Sequence, residues 1–372
     1  MAENSQVVIV GAGVAGCSLA YSLSLRGIKS LIIERDAIAR HASGVAAGLL
    51  TPSSEIGKPG PIFNLAQAAL RNHRSLSERL KEQTGMDVLY AQQPSLRLAL
   101  TQSEEAAMRS QLDWQKNTSW VTGSALAKLE PCATTAALGG AYSTHEARVN
   151  SQRLVIALCE AAISRGAAVR QGRVIGVKQS GDRLKSLLLD NNETVSGETF
   201  VFAMGPWARE AQAWLGLSLP VEPLRGQIVV LKPRRILRHA VFHGGNYVLP
   251  QPDGSVLAGT TEEWAGFDSK VTPEGIASIL QTLKIMTPLL AEAEIVGSRA
   301  GLRPVCRDGS PIVGRAPQWS NVYLSTGYGR KGILLGPLLG ECLAALVLQE
   351  QPPYDIGPFD PHRLLRKVAA AS

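Results

Sequence analysis

The sequence has few cysteines and no paired cysteine motif. Only five of its 372 residues are cysteine, and no two of them form a C-x-x-C pair. An odd number of isolated thiols argues against a disulfide framework or a structural zinc site, and it fits a reducing cytoplasm, where we expect the protein to act. The five are Cys17, Cys132, Cys159, Cys306 and Cys342. We therefore expect no metal centre.

Histidine is also scarce, and its positions are dispersed. No Ser/His/Asp triad or metal-ligand spacing can be read from the pattern. His243, just before Tyr247, is the one histidine near a motif discussed below, although a place in a surface loop is the simpler interpretation. The six are His41, His73, His145, His239, His243 and His362.

Long hydrophobic runs and dense basic blocks are missing too. The longest apolar run, 332–348, is interrupted by Pro337 and Glu341 and is too short for a membrane span. The polar Met1–Gln6 does not read as a signal peptide. The net charge of +7 could attract an anionic substrate or RNA, but scattered arginines favour an ordinary soluble surface. The length and the 45% hydrophobic content suggest about two domains.

The most informative stretch of the chain is its beginning. The apolar run Val7–Val10 predicts a buried strand, and Gly11, Gly13 and Gly16 form a G-x-G-x-x-G turn into a helix. A second strand, 31–34, ends on the acid Glu34. In such a unit the glycines admit a pyrophosphate at the helix N-terminus, and the acid accepts hydrogen bonds from ribose. The spacing predicts a dinucleotide site.

Two further glycine-rich segments indicate that the dinucleotide is FAD. Small residues dominate 41–48, just beyond the second strand, where a loop can lie flat against a planar ligand. Near the other end, strand 322–325 enters a glycine turn, 326–332, and then a helix, 333–348. The N-terminus of that helix carries partial positive charge, which would stabilise an anionic flavin ring. Two such helix N-termini suit a long, two-ended cofactor, whereas NAD would need only one.

The middle of the chain predicts a second, strand-rich unit. Helices are expected at 61–83, at 103–116 with Ser103 as its N-cap, at 151–165 and at 273–286. Antiparallel strands are expected at 228–231, 247–250 and 255–259.

Several motifs together resemble those of the FAD-dependent D-amino acid oxidase superfamily, over nearly the whole length of the chain. The opening fingerprint with Glu34 is one of them. Within the superfamily the chain is most similar to the glycine oxidase branch of thiamine biosynthesis, through Ala258–Glu262 with Gly266–Asp268 and Val271–Thr272. The other matching segments are Ala42–Gly48, Phe202–Ala208, Pro220–Gln227, Gly301–Pro304, Asp308–Gly314 and Arg330–Ile333.

The resemblance implies an α/β fold, with a Rossmann-like FAD-binding domain of the glutathione-reductase type and an inserted antiparallel-sheet substrate domain. The discontinuous FAD-binding domain would take residues 1–85, 145–222 and 300–372. The substrate-binding domain would take residues 86–144 and 223–299. A homo-oligomer is expected.

The resemblance also implies roles for individual residues. Arg303 matches the arginine that pairs with the substrate carboxylate, and its two-donor fork suits that group. Tyr247 matches a tyrosine hydroxyl on the same carboxylate, and Arg330 a second active-site arginine. Without the resemblance, a surface charge would be the simpler interpretation of each arginine. The residues expected to bind FAD are Gly11, Gly13, Val14, Ala15, Gly16, Glu34, Arg35, Ser43, Ala46, Ala47, Gly48, Val174, Gly205, Trp207, Gly329, Lys331, Gly332 and Ile333.

The sequence departs from the glycine oxidase pattern at three positions of these motifs. Lys331 stands where asparagine is expected, Gly329 replaces a bulkier residue, and Val305 replaces a common glycine. These differences leave the substrate open but not the flavin chemistry.

The implied activity is oxidation of a small amino acid or secondary amine such as glycine or sarcosine. A hydride would pass to the flavin from a neutral amine, and the imine, ammonia and hydrogen peroxide would follow with dioxygen as acceptor. No general base is nominated, because orientation and flavin electronics can supply the catalysis. One alternative is an FAD enzyme acting on carboxymethylaminomethyl-uridine of tRNA. Another is an NAD-dependent dehydrogenase or a nucleotide-binding protein without catalysis.

Overall fold

The computed structural model describes residues 5–365. Met1–Asn4, on which the expectation of no signal peptide partly rests, lie outside these residues. The α-helices of the described part are α1 Val14–Ser24, α2 Ala42–Val45, α3 Pro52–Glu55, α4 Pro61–Thr84, α5 Gln102–Arg109, α6 Gly123–Leu129, α7 Ser151–Ile163, α8 Ala211–Leu215, α9 Pro273–Met286 and α10 Gly332–Val347. Short 3-10 helices span Gly205–Glu210, Pro288–Leu290, Gly329–Lys331 and Gly357–Phe359.

The β-strands form two large sheets and one small one within residues 5–365. They are β1 Ser5–Val10, β2 Ser30–Glu34, β3 Leu49–Leu50, β4 Ala91–Gln92, β5 Ser95–Ala99, β6 Thr118–Val121, β7 Gly139–Ser143, β8 Ala147–Arg148, β9 Ala168–Gln171, β10 Val174–Ser180, β11 Arg183–Leu189, β12 Thr194–Phe202, β13 Val221–Lys232, β14 Ala240–His243, β15 Asn246–Pro250, β16 Val256–Gly259, β17 Glu294–Cys306, β18 Ile312–Arg315 and β19 Val322–Thr326.

The first large sheet is built around β1 and is parallel at its centre. β1 pairs in parallel with β2 and with β12, while β2 pairs with β9 and β12 with β19. Val7 and Ile9 pack into the hydrophobic core on one face, while Val8 and Val10 pack into the core on the other. A strand covered on both faces reads as a continuous apolar run, which is why the sequence reveals it so clearly.

Four helices cover one face of this sheet. α1 packs closely against α10 and α7, and α4 packs against α10 and α7. Their apolar side chains share one core with Val7 and Ile9. The cofactor end of the sheet is fixed by this packing, because α1 and α10 both begin at the carboxyl ends of strands.

The second large sheet runs in the order β17-β13-β16-β15-β14-β5-β7-β6, with only the β14–β5 pair parallel among the pairs described. Its strands come from 95–143 and 221–306 of the chain. This is the mixed α/β architecture with an inserted sheet that the sequence analysis anticipates.

Strands β13 and β17 pair from Val221↔Cys306 to Lys232↔Glu294. They therefore cross the expected domain boundaries at 222/223 and 299/300. We propose that the chain divides into an FAD-binding domain and a substrate domain that share this pair of strands.

One expected helix is corrected by the structure. The segment expected at 103–116 forms a helix only over Gln102–Arg109, and Thr101, not Ser103, is its N-cap. The Thr101 hydroxyl accepts from Glu104 N, while Glu104 reaches back to Thr101 N. This capping box satisfies two helix-terminal amides at once, so it fixes the start of the helix better than a serine inside the first turn.

Over residues 5–365, each of the five cysteines is a buried free thiol. No group of His, Cys, Asp and Glu in that range is arranged to hold a metal ion. Likewise, none of the helices described there has the length and apolar character that crossing a membrane would require.

Candidate functional site

The glycine turn between β1 and α1 is shaped by two close approaches of backbone to backbone. A Cβ at Gly11 would lie 2.5 Å from the Ala203 carbonyl oxygen, and one at Gly16 would lie 1.9 Å from the Gly11 carbonyl oxygen. Glu34 completes the turn, since its Oε2 accepts from Ala12 N at 2.7 Å and its Oε1 from Asp36 N at 2.9 Å. The acid at the end of β2 therefore lies beside the turn, as the spacing predicts.

Two cavities adjoin at this turn and together form an elongated site. They share Gly13, Ala42, Ser43, Ala203 and Gly205, and they enclose about 1010 Å³ and 710 Å³ of space that opens at the surface. The smaller extends past Glu34 and Trp207, so we name it the β2-end cavity. The larger extends between α10 and the second sheet, so we name it the sheet-end cavity.

The β2-end cavity is walled by stacked side chains. The Arg35 guanidinium lies 3.7 Å from the Trp207 ring centroid, and the His41 ring lies 4.6 Å from the same ring. Phe267 stacks on Trp207 at 5.7 Å. Of the expected cofactor residues, this cavity is lined by Gly11, Gly13, Glu34, Arg35, Ser43, Val174, Gly205 and Trp207.

The small-residue segment 41–48 joins the two cavities. The Ser43 hydroxyl accepts from Val14 N, in the first turn of α1, at 3.0 Å. The Ala46 carbonyl accepts from the Ser151 hydroxyl at 2.7 Å and from Arg299 Nη2 at 3.5 Å. Residues with short side chains let this segment follow the cavity wall with its backbone exposed to the space. The expected cofactor residues lining the sheet-end cavity are Gly13, Val14, Ala15, Ser43, Ala46, Ala47, Gly48, Gly205, Gly329, Gly332 and Ile333.

Arg303 projects from β17 into the sheet-end cavity. Its Nη2 donates to Thr260 Oγ1 at 2.6 Å and its Nη1 to the Thr261 carbonyl at 3.1 Å. Burial lowers the pKa of its guanidinium, and the neighbouring Arg330 charge adds to this effect. The guanidinium fits because Gly226 on β13 has no side chain, for a Cβ there would lie 2.2 Å from Arg303 Nη2.

Tyr247 lines the same cavity from β15 and is almost fully buried. A Cβ at Gly259 on the adjacent β16 would lie 2.7 Å from its hydroxyl oxygen, so Gly259 leaves room for the phenol. Burial raises the pKa of Tyr247 above its ordinary value, against the opposing effect of Arg303 and Arg330. The hydroxyl therefore keeps its proton at neutral pH and can donate a hydrogen bond.

Arg330 is held by two carboxylates. Its Nε donates to Glu55 Oε1 at 2.9 Å, and its Nη1 lies 3.2 Å from Glu262 Oε1. Nη1 also donates to the Gly245 carbonyl at 2.9 Å. Burial is the largest single effect and would lower the pKa of Arg330, but Glu55, Tyr247 and Glu262 together outweigh it and the pKa is raised. Arg330 is thus a fixed and largely neutralised cation.

The structure brings together all three expected catalytic residues, because Tyr247, Arg303 and Arg330 line one cavity. Two expected cofactor residues, Gly16 and Lys331, line neither cavity. Gly16 instead allows α1 to pack on the turn, while Lys331 ends a 3-10 turn. His243 is also outside both cavities and faces Leu98 O and Glu104.

Sequence reasoning did not assign a role to Glu55, Gly226 or Tyr328, which also line the sheet-end cavity. Gly226 lies inside the matching segment Pro220–Gln227, and this match is the one feature of the sequence that could have indicated its role. No local pattern marks Glu55, because its partner Arg330 is 275 residues away in the chain.

The residues present fit FAD. The elongated site offers a glycine turn at a helix N-terminus in its middle, and an acid and stacked aromatic residues at one end. At the other end α10 begins at Gly332, and Gly329, Gly332 and Ile333 line the space. The residues of the β2-end cavity would hold the adenosine and pyrophosphate, and segment 46–48 with the start of α10 would hold the ring system.

Comparison with known proteins agrees with this geometry. A family model described as FAD dependent oxidoreductase (DAO) matches residues 6–346. Glycine oxidase of Geobacillus kaustophilus (strain HTA426) is 32% identical over 375 residues, covering 99% of both chains.

Two solved structures are similar over nearly their whole length. The crystal structure of glycine oxidase from Geobacillus kaustophilus has a TM-score of 0.92 and 30% identity, covering 96% of this chain and 98% of the other. That of iminodiacetate oxidase from Chelativorans sp. BNC1 has a TM-score of 0.87 and 27% identity, covering 96% and 99%.

Proposed function

Because this chain belongs to the family of FAD-dependent oxidoreductases, and is an FAD-dependent amino acid oxidase, we propose that its substrate is a small monocarboxylic amine such as glycine or sarcosine. Membership of this family sets aside an NAD-dependent dehydrogenase or a binding protein without catalysis. The proposal includes the products, namely the 2-oxo acid and hydrogen peroxide, with ammonia from glycine or methylamine from sarcosine.

One observation carries the choice of substrate class: the two cavity arginines differ in their partners. Arg303 has neutral hydrogen-bond partners among the described residues, whereas Arg330 is bound to Glu55 and Glu262. A buried guanidinium without a counter-ion attracts a carboxylate, and its planar fork binds it through two hydrogen bonds. The site therefore offers strong binding for one carboxylate and little for a second.

The roles of the side chains follow from this arrangement. Arg303 binds the substrate carboxylate, and the protonated Tyr247 hydroxyl donates to the same group. Together they fix the α-carbon on the side of the cavity lined by segment 46–48 and the start of α10. FAD, when bound, would accept the hydride and would then pass the two electrons on to dioxygen. Orientation of this kind can account for a large part of a rate enhancement.

No protein base is required for the proposed reaction. If the amine binds without its extra proton, the nitrogen lone pair assists loss of the α-hydrogen as hydride. The sum for glycine is glycine, dioxygen and water giving glyoxylate, ammonia and hydrogen peroxide, which balances in atoms and electrons. The Tyr247 proton stays on its oxygen throughout, because burial raises the pKa of this phenol.

The test is anaerobic mixing of the FAD-loaded protein with a panel of amines. We expect glycine or sarcosine to bleach the flavin absorbance, and air to restore it with one peroxide per turnover. In Arg303→Met, KM for the amine should rise by about a hundredfold or more, the scale of losing a charge-assisted pair of hydrogen bonds. Flavin that stays oxidised with every amino acid and amine would refute the proposal.

The same experiment tests the tRNA alternative. RNA bound as a polyanion must lose affinity steeply between about 50 and 200 mM salt. Bleaching only by carboxymethylaminomethyl-modified tRNA, with that salt dependence, would favour the alternative. Action in the cytoplasm, as part of thiamine biosynthesis, belongs to the proposal as well.

A further inference from the structure

A buried carboxylate lies behind the sheet-end cavity, outside the set of residues that line it. Glu146, between β7 and β8, is 1% exposed. Its Oε1 accepts from Ser54 N at 2.9 Å and its Oε2 from the Ser54 hydroxyl at 2.8 Å. The Ser95 hydroxyl donates to the same Oε2 and lies 2.7 Å from the Ser54 hydroxyl. Glu146 thus ties the α3 turn to strand β5 of the second sheet.

The α3 turn carries the carboxylate that fixes Arg330. Ser54 precedes Glu55, which accepts from Arg330 Nε at 2.9 Å. Glu55 is held to the start of the same turn, where its backbone N donates to the Thr51 carbonyl at 3.1 Å and its Oε2 accepts from Thr51 Oγ1 at 3.2 Å. Glu146, Ser54, Glu55 and Arg330 therefore form one continuous chain of contacts that ends in the cavity.

The charge of Glu146 is not balanced by an ion pair within 4.0 Å in the part of the chain that the structure describes. Arg97 on β5 interacts with it electrostatically, but Arg97 donates its hydrogen bond to Gln111. Burial raises the pKa of Glu146 to about 7, despite the opposing hydrogen bonds from Ser95 and Ser54. The other titratable groups on the elements around it are Glu55 on α3, Tyr142 on β7, His145 beside it in the chain and Arg148 on β8.

We propose that Glu146 is a positioning residue for substrate binding, which acts by holding the Ser54–Glu55 turn so that Glu55 fixes Arg330 at the cavity wall. The inference rests on the proposed function, because that function places the substrate in the cavity whose wall Arg330 helps to form. It goes beyond that function, since Glu146 touches neither the cavity nor any residue with a substrate role.

The chemistry of the cluster explains why a carboxylate is needed. An ionised carboxylate can accept all three hydrogen bonds from Ser54 and Ser95, because its two oxygens have enough lone pairs for three donors. A protonated or amidated group must donate from one of its two positions, so one hydroxyl must reverse its direction. The turn is then held less firmly, and Arg330 with it.

The experiment compares the FAD-loaded wild type with Glu146→Gln. Acetate, as a carboxylate probe, is titrated from pH 5.5 to 8.5 by the change in flavin absorbance, and KM and kcat for glycine are measured over the same range. We expect acetate to bind the wild type several-fold more tightly above pH 7 than below it. The variant should bind with the weaker affinity at every pH, with KM raised several-fold and kcat within about twofold.

A matched control is Glu130→Gln. Glu130 is equally buried and accepts from Arg238 N and His239 N, but it has no contact with the α3 turn. A purely structural loss would lower the melting temperature of both variants without changing the pH profile of either. The inference is overturned if Glu146→Gln keeps the wild-type inflection, or if Glu130→Gln removes it.

A second variant covers the case in which Glu146→Gln does not fold. Ser54→Ala removes one hydrogen bond to Glu146 and leaves the Glu55 side chain in place, so it should raise KM in the same direction.

A crystal structure of either variant gives a readout that needs no substrate. A Glu55–Arg330 contact lengthened beyond salt-bridge distance supports the inference, and an unchanged contact overturns it. If the wild type binds no acetate and oxidises no amine, the proposed function is refuted. The Glu55–Arg330 distance in the variant crystal structure then still decides the inference.

Discussion

Arg303 lies in the cavity because a residue on the neighbouring strand has no side chain. Gly226 pairs across β13 and β17 with Gly301, two residues from Arg303. The space that a Cβ would take at Gly226 is the space that the guanidinium fills. The position of Arg303 therefore depends on a glycine at position 226.

This relation predicts the effect of Gly226→Ala. The added methyl group would stand within 2.6 Å of three guanidinium atoms, so Arg303 must move. We expect KM for glycine to rise by tenfold or more, about 1.4 kcal/mol of binding, while the affinity for FAD changes little. Steady-state kinetics and FAD titration measure the two effects. Gly297→Ala, whose Cβ would lie 3.9 Å from Val230 in the same sheet, is the control and should leave KM unchanged.

The pairing of Arg330 predicts a shift of specificity in Glu55→Gln. The substitution removes one of two carboxylates on Arg330, so the cavity gains a guanidinium with spare positive charge. We expect kcat/KM for iminodiacetate to rise by about tenfold relative to glycine, because the second carboxylate then finds a partner. Glu222→Gln, which breaks an exposed pair with Arg307, serves as the control. An unchanged ratio in Glu55→Gln would contradict the role given to this pairing.

At the scale of elements, helix α10 contains a proline, and a side chain of the neighbouring helix α4 hydrogen-bonds to its first turns. Pro337 has no N–H, so the carbonyl of Ile333 lacks its usual donor. His73 of α4, which is 1% exposed, meets the helix at this turn, and we assign it as donating from Nε2 to the Leu334 carbonyl at 2.9 Å. This contact holds the first turns of α10, where Gly332 and Ile333 line the cavity.

The burial of His73 predicts a loss of stability in acid. Burial lowers its pKa from 6.5 to about 4, against the opposing effect of the Leu334 and Ile333 carbonyls. Between these two values the unfolded chain binds a proton that the folded chain excludes, so stability falls as the pH is lowered through this window. We expect this group to account for about 2 kcal/mol of stability lost between pH 7 and pH 5.

Urea unfolding at the two pH values measures that loss. His73→Gln keeps an N–H donor but cannot titrate, so its stability should fall by correspondingly less between pH 7 and pH 5. Equal losses in the wild type and in His73→Gln would show that other groups carry the acid sensitivity.

At the scale of the whole molecule, the cofactor site is where the two large sheets meet. Its wall takes residues from β1, α1 and α10 on one side and from β13, β15 and β17 on the other. A ligand that fills both cavities therefore contacts more of the fold than one that fills the β2-end cavity alone.

Unfolding in the presence of FAD and of ADP tests this. FAD at about a hundred times its dissociation constant stabilises the folded state by about 2.7 kcal/mol through mass action. ADP resembles only the adenosine end of FAD, so we expect it to bind more weakly and to raise the melting temperature of the apoprotein less than FAD at equal concentration. Equal shifts would mean that the sheet-end cavity contributes nothing to cofactor binding.

Much of the fold, and the part of the site at the glycine turn between β1 and α1, could be predicted from local sequence. The run Val7–Val10 is apolar throughout because its strand is covered on both faces, and the glycines that follow are spaced by the geometry of a strand–turn–helix unit. The N-cap at 101 was missed by two residues, because two plausible capping hydroxyls stand in the same short stretch. The cofactor and the reaction class came from the residue motifs and their resemblance to a family.

Only the tertiary structure decided how the charges of the site are paired. Glu55 and Arg330 are 275 residues apart, and Ser54 and Glu146 are 92 apart, so no periodicity or spacing connects them. Gly226 and Arg303 meet because β13 and β17 pair along their whole length. The sequence by itself determined that the protein holds a dinucleotide, since that signal is a property of one continuous segment. Which arginine is free for a substrate carboxylate depends on contacts that form only when distant segments pack together.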